Sequence, residues 1–228
     1  MAAQAAPGQF AHIRCGDKSL RRPISICGAD TESGRLRLVY EIRGEGTKWL
    51  SEQAPGYNLD VIAPLGKGFD FRGQSGALFI GGGIGSPPML CAAKAFPGKA
   101  FAALGFRNKD AIILKQDFEE AGIPLDITTD DGSYGYHGLV THPAEERLKS
   151  GGIGLVCVCG PAPMLRGVIE LAKRYNTACQ VSLEQRMGCG VGACRVCAVK
   201  VRDKQKDIYM HVCLNGPVFD INKFDVQI

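Results

Sequence analysis

Four cysteines stand at the spacing of an iron–sulfur ligand set. The pattern C-x4-C-x2-C-x15-C is formed by Cys189, Cys194, Cys197 and Cys213. Four and then two intervening residues, followed by a distant fourth cysteine, is typical of plant-type ferredoxins, in which four thiolates hold a 2Fe–2S cluster. Structural zinc sites favour two close pairs of Cys or His, whereas this chain has one close pair. The spacing therefore predicts a 2Fe–2S centre, whose chemistry is electron transfer.

The residues around the first two cysteines suit a loop that bends about such a cluster. Gly188, Gly190, Gly192 and Ala193 carry no bulky substituent, and glycine reaches positive φ without steric cost. A loop of this kind can direct backbone N–H groups at the sulfurs. Unrelated thiols in a Gly-rich loop are the alternative interpretation. The four histidines lack ligand spacing, and we interpret them as structural or solvent-exposed.

Composition excludes several classes of protein. With 45% hydrophobic and 22% charged residues, the chain has the composition of an ordinary globular protein. Its 228 residues suit one large domain or two small ones. A net charge of +4 is too small to predict nucleic-acid binding. The sequence has neither the ~18 uninterrupted apolar residues of a membrane helix nor a signal-peptide pattern. The six other cysteines are scattered through apolar runs, which favours a reducing cytoplasm over a secreted disulfide scaffold.

Three segments follow one another along the chain. Residues 1–72 show β-type patterning broken by turn residues, which predicts an antiparallel, barrel-like domain. Residues 73–178 alternate strand and helix, which predicts a parallel, doubly wound α/β domain. Residues 179–228 hold the cysteines and have too little apolar material to fold alone. Predicted strands lie at 9–15, 22–27, 36–43, 58–63, 77–80, 100–106, 125–129, 154–159 and 197–201, and predicted helices or helical turns at 46–50, 87–96, 117–121 and 163–175.

A glycine-rich turn follows the predicted strand 77–80 and opens a helix. Gly81, Gly82, Gly83 and Gly85 would let backbone N–H groups approach a pyrophosphate, aided by the helix dipole. An ordinary tight turn is the alternative for the glycines alone. The position at which NAD enzymes carry an acid for the ribose has Arg107 nearby instead, which leaves NADP open beside NAD.

Other motifs are weaker alone. Cys159, Gly160 and Pro161 end a predicted strand where a doubly wound sheet exposes its crevice, although a strand-to-helix turn with a buried cysteine is the alternative. Arg22 could bind phosphate and Ser25 could contact a flavin ring, but alone they would be surface and strand residues. The run from Thr129 to Ser133 is either a polar turn or part of the cleft, and Gly46-Thr47 alone is an ordinary turn.

Taken together, the motifs resemble a known family: the electron-transfer subunits of class B dihydroorotate dehydrogenase, within the ferredoxin-reductase-like flavoproteins. They occur in family order and cover nearly the whole chain. They are Pro7-Gly-Gln-Phe10, Arg22-Pro-Ile-Ser25, Gly46-Thr47, Gly81-Gly-Gly-Ile-Gly85, Thr129-Asp-Asp-Gly-Ser133, Cys159-Gly-Pro161 and Ser182-Leu-Glu-Gln-Arg-Met-Gly-Cys189.

The resemblance implies an FAD between the barrel and the nucleotide-binding domain, together with a nicotinamide nucleotide and a C-terminal 2Fe–2S cluster. Cys159 would lie near the nicotinamide ring, and Gly46 and Thr47 would meet the FAD pyrophosphate. The implied cluster ligands are the four cysteines of the spacing pattern. The residues that match the flavin site are Arg22, Pro23, Ile24, Ser25, Val39, Tyr40, Glu41, Gly46 and Thr47, and those that match the nicotinamide-nucleotide site are Gly81, Gly82, Gly83, Gly85, Cys159, Gly160 and Pro161.

The implied activity is a relay in pyrimidine biosynthesis, with no catalytic residue of its own. NADH gives a hydride to FAD, and single electrons pass through the cluster to a partner subunit that carries FMN and the pyrimidine site; in the biosynthetic direction the flow reverses. A heterotetramer of two such subunits and two catalytic subunits is implied. The alternative is a related reductase subunit of a ferredoxin:NADP oxidoreductase, sulfide dehydrogenase or hydrogenase. A third possibility is a cofactor-free or zinc-stabilised interaction module.

The N-terminus departs from the family pattern. In the family about thirty residues, including the first barrel strands, precede the Pro-Gly-Gln-Phe motif, whereas only Met1 to Ala6 do so here. Missing strands would expose hydrogen-bonding edges. We therefore expect either a truncated start or a partner that covers the gap, with FAD affinity the property most affected.

Overall fold

An antiparallel sheet of four strands forms the N-terminal part of the protein in a computed structural model that describes residues 1–203 and 206–227. Its strand order is β3-β2-β1-β4, and every neighbouring pair is antiparallel, as predicted. Ala11, Ile13 and Leu50 build its core. The elements are β1 (Phe10–Ile13), β2 (Arg22–Asp30), β3 (Arg35–Leu38), α1 (Glu45–Ser51) and β4 (Val61–Leu65).

β3 ends five residues earlier than the predicted strand. The pattern predicts a strand over 36–43, but β3 ends at Leu38, and residues 39–43 lie outside the sheet. Their backbone therefore makes no strand pairing. This frees three of the predicted flavin contacts, Val39, Tyr40 and Glu41, to line a cleft instead.

A seven-stranded sheet with helices follows, and its five parallel pairings confirm the predicted α/β segment. All residues of Gly76–Gly82 and Leu155–Cys159 are buried, as expected for strands covered on both faces. The elements are β5 (Gly76–Gly82), α2 (Ser86–Ala95), β6 (Lys99–Phe106), α3 (Lys115–Glu120), β7 (Leu125–Thr129), β8 (Tyr136–His137), α4 (Thr141–Lys149), β9 (Leu155–Cys159), α5 (Ala162–Arg174) and β10 (Ala178–Ser182).

The order of these strands creates a crevice between two neighbours. From β5 the chain runs through β6, β7 and β8 on one side of the sheet, and then returns to β9 and β10 on the other. Ligands of doubly wound sheets bind at such a switch point, outside the carboxyl ends of the strands. Gly81 of β5 is in register with Cys159 of β9, so the fold brings the two predicted nucleotide motifs together.

The cysteine-rich segment is joined to the α/β sheet. A third sheet has the order β12-β11-β14, while β13 pairs antiparallel with β10 and so extends the seven-stranded sheet. Met187, Cys197 and Cys213 belong to the same hydrophobic core as Leu78 and Val158. The elements are β11 (Ala198–Asp203), β12 (Lys206–His211), α6 (Val212–Asn215), β13 (Val218–Asp220) and β14 (Asp225–Val226).

The division into residues 1–72, 73–178 and 179–228 stays a prediction. Its second boundary falls inside β10, so the last two segments share a strand as well as a core. That sharing agrees with the expectation that the cysteine-rich segment depends on its neighbours. Among the described residues, no helix is both long and apolar enough to cross a membrane.

Candidate functional site

All three segments contribute to one cleft. Its volume of about 370 Å³ is in the range of small-molecule and cofactor sites. Residues of the N-terminal sheet form one wall, and residues of the α/β sheet and of the cysteine-rich segment form the other. The lining residues are Phe10, Arg22, Pro23, Ile24, Ser25, Val39, Tyr40, Glu41, Arg43, Gly44, Thr47, Ile84, Cys159, Ser182, Leu183, Glu184, Gln185, Met187 and Pro217.

Arg22 is the phosphate-binding candidate of this cleft. Its Nη1 donates to the carbonyl of Leu20 at 2.5 Å and to that of Arg21 at 3.5 Å, which fixes one edge of the guanidinium. Gly46 lies against it, and a Cβ on Gly46 would stand 2.5 Å from Arg22 Nε. Gly46 is absent from the cleft lining. We infer that it serves the site by leaving room for Arg22.

The start of α1 lies beside this arginine. Thr47 Oγ1 accepts the N–H groups of Arg43 at 2.9 Å and of Gly44 at 3.3 Å, which holds the turn before the helix. The first N–H groups of a helix have no acceptor inside it. The first N–H groups of α1 are therefore free donors next to a guanidinium, while the rest of the cleft is largely apolar. An apolar cleft with such an end fits a planar ring system that is joined to phosphate.

Cys159 borders the same cleft from the α/β side. Its thiol is 2% exposed, and burial raises its pKa to about 12, with a further contribution from the charge of Glu184. A hydrogen bond with the Ser182 side chain opposes this shift but does not cancel it. The thiol is therefore protonated at neutral pH and presents a small, uncharged surface.

The glycines after β5 form a tight cradle against the end of β9. A Cβ on Gly85 would lie 2.2 Å from the carbonyl oxygen of Cys159, and one on Gly82 would lie 2.6 Å from Met164 Sδ. Gly83 differs, because it has a positive φ of 51° and no atom within 4 Å of where its Cβ would stand. The space beside Gly82 and Gly85 is thus filled by neighbouring atoms, whereas the space beside Gly83 is open. This shape suits the close approach of a dinucleotide phosphate.

The remaining predicted nucleotide residues lie outside the cleft lining. Gly160 packs against Met164, because a Cβ on Gly160 would be 2.4 Å from Met164 Cε. Pro161 is the N-cap residue of α5. Thr129-Asp-Asp-Gly-Ser133 is a hydrogen-bonded turn: Asp131 accepts the Ser133 hydroxyl at 2.6 Å and its N–H at 2.9 Å, which lowers the pKa of that carboxyl. This turn does not line the cleft. Arg107 is exposed beside it, at the end of β6.

The four predicted cluster cysteines come together as two pairs. Cys189 and Cys194 exchange backbone N–H to Sγ contacts at 3.3 and 3.4 Å, and the sulfurs of Cys197 and Cys213 are 3.2 Å apart. The N–H of Gly192 reaches Cys213 Sγ at 3.2 Å and connects the pairs. Among the described residues, no group of three or more His, Cys, Asp or Glu side chains is arranged for a single metal ion. Two thiol pairs fit a cluster of two irons.

Backbone donors favour the thiolate form of Cys189, whereas burial raises the pKa of Cys213 to about 12. The N–H groups of Cys194 and Val191 lower the pKa of Cys189 to about 6, with the bond from Cys194 as the largest cause. The predicted loop glycines make this possible, since Gly190 and Gly192 have φ values of 74° and 84°. Donors aimed at the sulfurs also stabilise a bound cluster.

One side of the cysteine site faces solvent through apolar side chains. Cys197 and Cys213 are buried, whereas Cys194 is exposed. Val191, Val196 and Leu214 lie close to the ligand cysteines in the sequence and have exposed fractions of 50%, 58% and 51%, and we call these three residues the apolar cap. Leu214 lies directly on the loop, because a Cβ on Gly192 would be 2.9 Å from its Cδ2.

Several lining residues were missed by the sequence interpretation. Phe10, Arg43, Ile84, Met187 and Pro217 come from separate parts of the chain, and residues 182–185 lead from the end of β10 towards the cysteines. Phe10, Ile84 and the run 182–189 stood inside motifs quoted for the family resemblance, which was the one available signal. The predicted flavin contacts other than Gly46 all line the cleft, and of the predicted nucleotide residues only Cys159 does.

Comparison with known proteins identifies the family. Residues 184–225 match the iron–sulfur cluster binding domain of dihydroorotate dehydrogenase B. The electron transfer subunit of dihydroorotate dehydrogenase B (NAD(+)) from Caldanaerobacter subterraneus subsp. tengcongensis is 42% identical over 215 residues, which covers 93% of this chain and 84% of the relative. The subunit of that name from Streptococcus mutans is 41% identical, with 96% and 87% covered.

Solved structures agree on the fold. A structure of NADH-dependent reduced ferredoxin-NADP oxidoreductase aligns with a TM-score of 0.86 and 31% identity, covering 98% of this chain and 81% of that one. The ferredoxin reductase of carbazole 1,9a-dioxygenase aligns with a TM-score of 0.63 and 19% identity, covering 76% and 57%. The predicted ferredoxin-reductase-like fold is thereby confirmed. The chain belongs to the family of electron transfer subunits of dihydroorotate dehydrogenase B.

Proposed function

We propose that this protein relays electrons between NAD(H) and an FMN-containing catalytic subunit that acts on dihydroorotate. The observation that carries the proposal is the shared wall of the cleft. Ile84 and Cys159 connect the cleft to the glycine cradle, while Met187, which stands two residues before Cys189, connects it to the cysteine site. A group bound in the cleft would therefore touch both the nucleotide crevice and the approach to the cluster.

The residues suit FAD in the cleft, a nicotinamide nucleotide in the crevice and a 2Fe–2S cluster on the cysteines. A flavin converts hydride chemistry into single-electron steps, and an iron–sulfur cluster carries electrons one at a time. Arg22 and the start of α1 would hold phosphate, and residues 39–41 would line one side of the ring. Gly81–Gly85 and Cys159–Pro161 would position the nicotinamide nucleotide. The protein excludes water from two of the four sulfurs, since Cys197 and Cys213 are buried.

The apolar cap is the proposed contact with the catalytic subunit. Exposed apolar side chains that cluster around one functional group mark interaction sites more often than isolated ones do. Val196 of the cap lies beside Cys194, the most exposed of the four proposed ligands, since a Cβ on Gly188 would contact both side chains. A partner that covers it would bring its own cofactor close to the cluster. We further propose a cytoplasmic location and a heterotetramer of two such subunits with two catalytic subunits. The relatives' names as subunits support an association with a catalytic partner.

An optical spectrum of anaerobically purified protein, followed by titration with NADH, tests the proposal. Flavin bands and broad iron–sulfur absorption, both bleached by NADH, are the expected result. A protein with neither absorption would contradict the proposal. The matched control is Cys194→Ser, which should lose the iron–sulfur absorption and keep bleaching of the flavin. Repeating the titration with NADPH determines whether the exposed Arg107 admits the phosphorylated nucleotide.

A second candidate function is a reductase subunit that serves ferredoxin and NADP. The observation that favours it is the alignment, at a TM-score of 0.86, with the NADH-dependent reduced ferredoxin-NADP oxidoreductase structure. The two functions differ in the partner. Co-expression with an FMN-containing dihydroorotate dehydrogenase subunit should give a stable complex that reduces NAD+ with dihydroorotate. Failure of that complex, together with ferredoxin reduction by the isolated chain, would favour the second candidate.

A further inference from the structure

His12 is a fully buried imidazole without a hydrogen-bond partner. The side chain is 0% exposed, and neither ring nitrogen makes a hydrogen bond. Buried polar groups of folded proteins are nearly always paired, so an unpaired one calls for an explanation. From the sequence alone, this histidine was interpreted only as a structural or solvent-exposed residue.

The ring stands against the cluster loop. His12 lies in β1, opposite Pro23 of β2 and close to Ile62 of β4 in the register. A Cβ on Gly190 would be 2.5 Å from His12 Nδ1 and 3.1 Å from Cε1. Gly190 also has a positive φ, so both the close contact and the backbone conformation require glycine at this position. The backbone of the loop therefore lies directly against the imidazole.

The surroundings explain why the ring remains unpaired in the protein alone. The backbone carbonyls of Cys189 and Arg21 lie close enough to the ring to favour a raised pKa of the imidazole, but neither completes a hydrogen bond with a ring nitrogen. Burial is the largest influence on the imidazole and lowers its pKa, and the positive charges of Arg21 and Arg22 act in the same direction. A neutral imidazole has one N–H to donate. The groups next to it that gain negative charge on cluster binding are those of the cysteine site.

We propose that His12 is a positioning residue of the iron–sulfur centre, with its Nδ1–H donated to a cluster sulfur beside Gly190. This inference rests on the proposed function. The backbone N–H groups of Val191, Gly192 and Cys194 already point at sulfurs, and His12 would add a side-chain donor from the side of the loop that Gly190 occupies. Hydrogen bonds to the sulfurs stabilise the reduced, more negative cluster, so His12 raises the reduction potential.

His12 also links the cluster to the flavin cleft. Phe10, two residues earlier in β1, lines the cleft, and its ring centroid is 6.4 Å from that of His12. The two rings and Gly190 form one packed path from the cleft to the loop. Replacing the imidazole therefore changes the medium between the two redox sites as well as the hydrogen bonding of one of them.

The test is a redox titration of the full chain, monitored by the electron paramagnetic resonance of the reduced cluster. His12→Leu should shift the potential to more negative values. At fixed potential the reduced-to-oxidised ratio should fall about tenfold, which corresponds to about 59 mV for one electron. His12→Asn, which keeps an N–H donor, should recover part of the shift. The matched control is Ile13→Val, a conservative change at the neighbouring core position of β1, with an unchanged potential expected. An unchanged potential in His12→Leu, at full cluster content, would overturn the proposal.

A measurement on the wild-type protein decides the case in which His12→Leu does not assemble a cluster. Pulsed electron paramagnetic resonance of protein labelled with ¹⁵N-histidine should show a coupling between the reduced cluster and an imidazole nitrogen. His211 also has a buried, unpaired Nδ1, so loss of the signal in His12→Asn assigns it. A wild-type cluster without any such coupling would refute the role of His12. A wild-type protein without a cluster would instead contradict the proposed function, and the optical spectrum distinguishes the two outcomes.

Discussion

Filling the space at Gly46 tests whether the position of Arg22 determines flavin binding. An alanine there would place its Cβ 2.5 Å from Nε and 2.7 Å from Cζ of Arg22, so the guanidinium must move. A hydrogen bond to a charged group contributes about 1.5–3 kcal/mol. At about 1.4 kcal/mol per factor of ten, Arg22→Ala should weaken FAD binding roughly 10- to 100-fold. Gly46→Ala should weaken it in the same direction, although the arginine is still present.

Comparing Gly46→Ala with Arg22→Ala separates effects on FAD affinity from effects on the stability of α1. Gly46 lies within α1, where alanine is more favourable than glycine by about 1 kcal/mol. The helix is therefore not weakened by the substitution itself, and a loss of FAD must come from the displaced guanidinium. Arg43→Ala is the matched control, because Arg43 lines the same cleft but bonds Glu41 at 2.7 Å and is largely exposed. Its effect on FAD affinity should stay within about threefold.

The assay is fluorescence titration of FAD into flavin-free protein, with the melting temperature of each variant measured in parallel. A dissociation constant of Arg22→Ala equal to that of the wild type would refute the assignment of Arg22 to the phosphate. An equal loss in Arg43→Ala would show that general positive charge attracts the cofactor. If Gly46→Ala binds FAD normally, the close contact with Arg22 has no role in the site.

Three further predictions concern the cysteines and the apolar cap. Cys194→Ser should remove cluster iron, measured by metal analysis, whereas Cys91→Ser, outside the ligand set, should not. Leu214→Lys should weaken association with the catalytic subunit at least tenfold in size-exclusion or calorimetric measurements, because it places a charge in the apolar cap; Leu139→Lys, at an exposed position in the α/β segment, is the control. Cys159, with its pKa raised to about 12 by burial, should resist iodoacetamide at pH 8, because the buried thiol stays protonated and only the thiolate reacts. Rapid labelling of its peptide in native protein would contradict that burial.

Local patterns were sufficient for the parts of the site that lie on consecutive residues. The spacing of the four cysteines predicted a cluster-binding segment, which the family match over residues 184–225 confirms, because a loop that wraps a cluster is a short-range structure. The glycines from Gly81 to Gly85 were visible for a similar reason, since a strand, a turn and a helix follow one another there. The register between Gly81 and Cys159 was predictable only through the rule that ligands bind at a switch point of a doubly wound sheet.

The cleft could not be read in full from the sequence, because its walls are made by distant pairings. Pro217 lines it only because β13 returns to β10, more than thirty residues back in the chain. Arg43 and its neighbours line it because the strand before them ends early, at Leu38. The supporting role of Gly46 depends on the position of Arg22 and has no pattern of its own. Residues that act through another residue in this way are the hardest to predict.

The cysteine-rich segment is attached at the cleft both before and after its four cysteines, and this fixes the position of the cysteine site relative to the cleft. Before the cysteines, Leu183 lines the cleft and donates its N–H to the carbonyl of Pro217 at 2.9 Å. After them, Gly216 accepts the N–H of Lys67 from the N-terminal segment, and Ser182 pairs with Val218 across two strands. A rotation of the cluster site away from the cleft would break these bonds and divide a shared core. If the two sites hold the proposed cofactors, these bonds and the shared core keep them together, and we expect electron transfer between them without a domain movement.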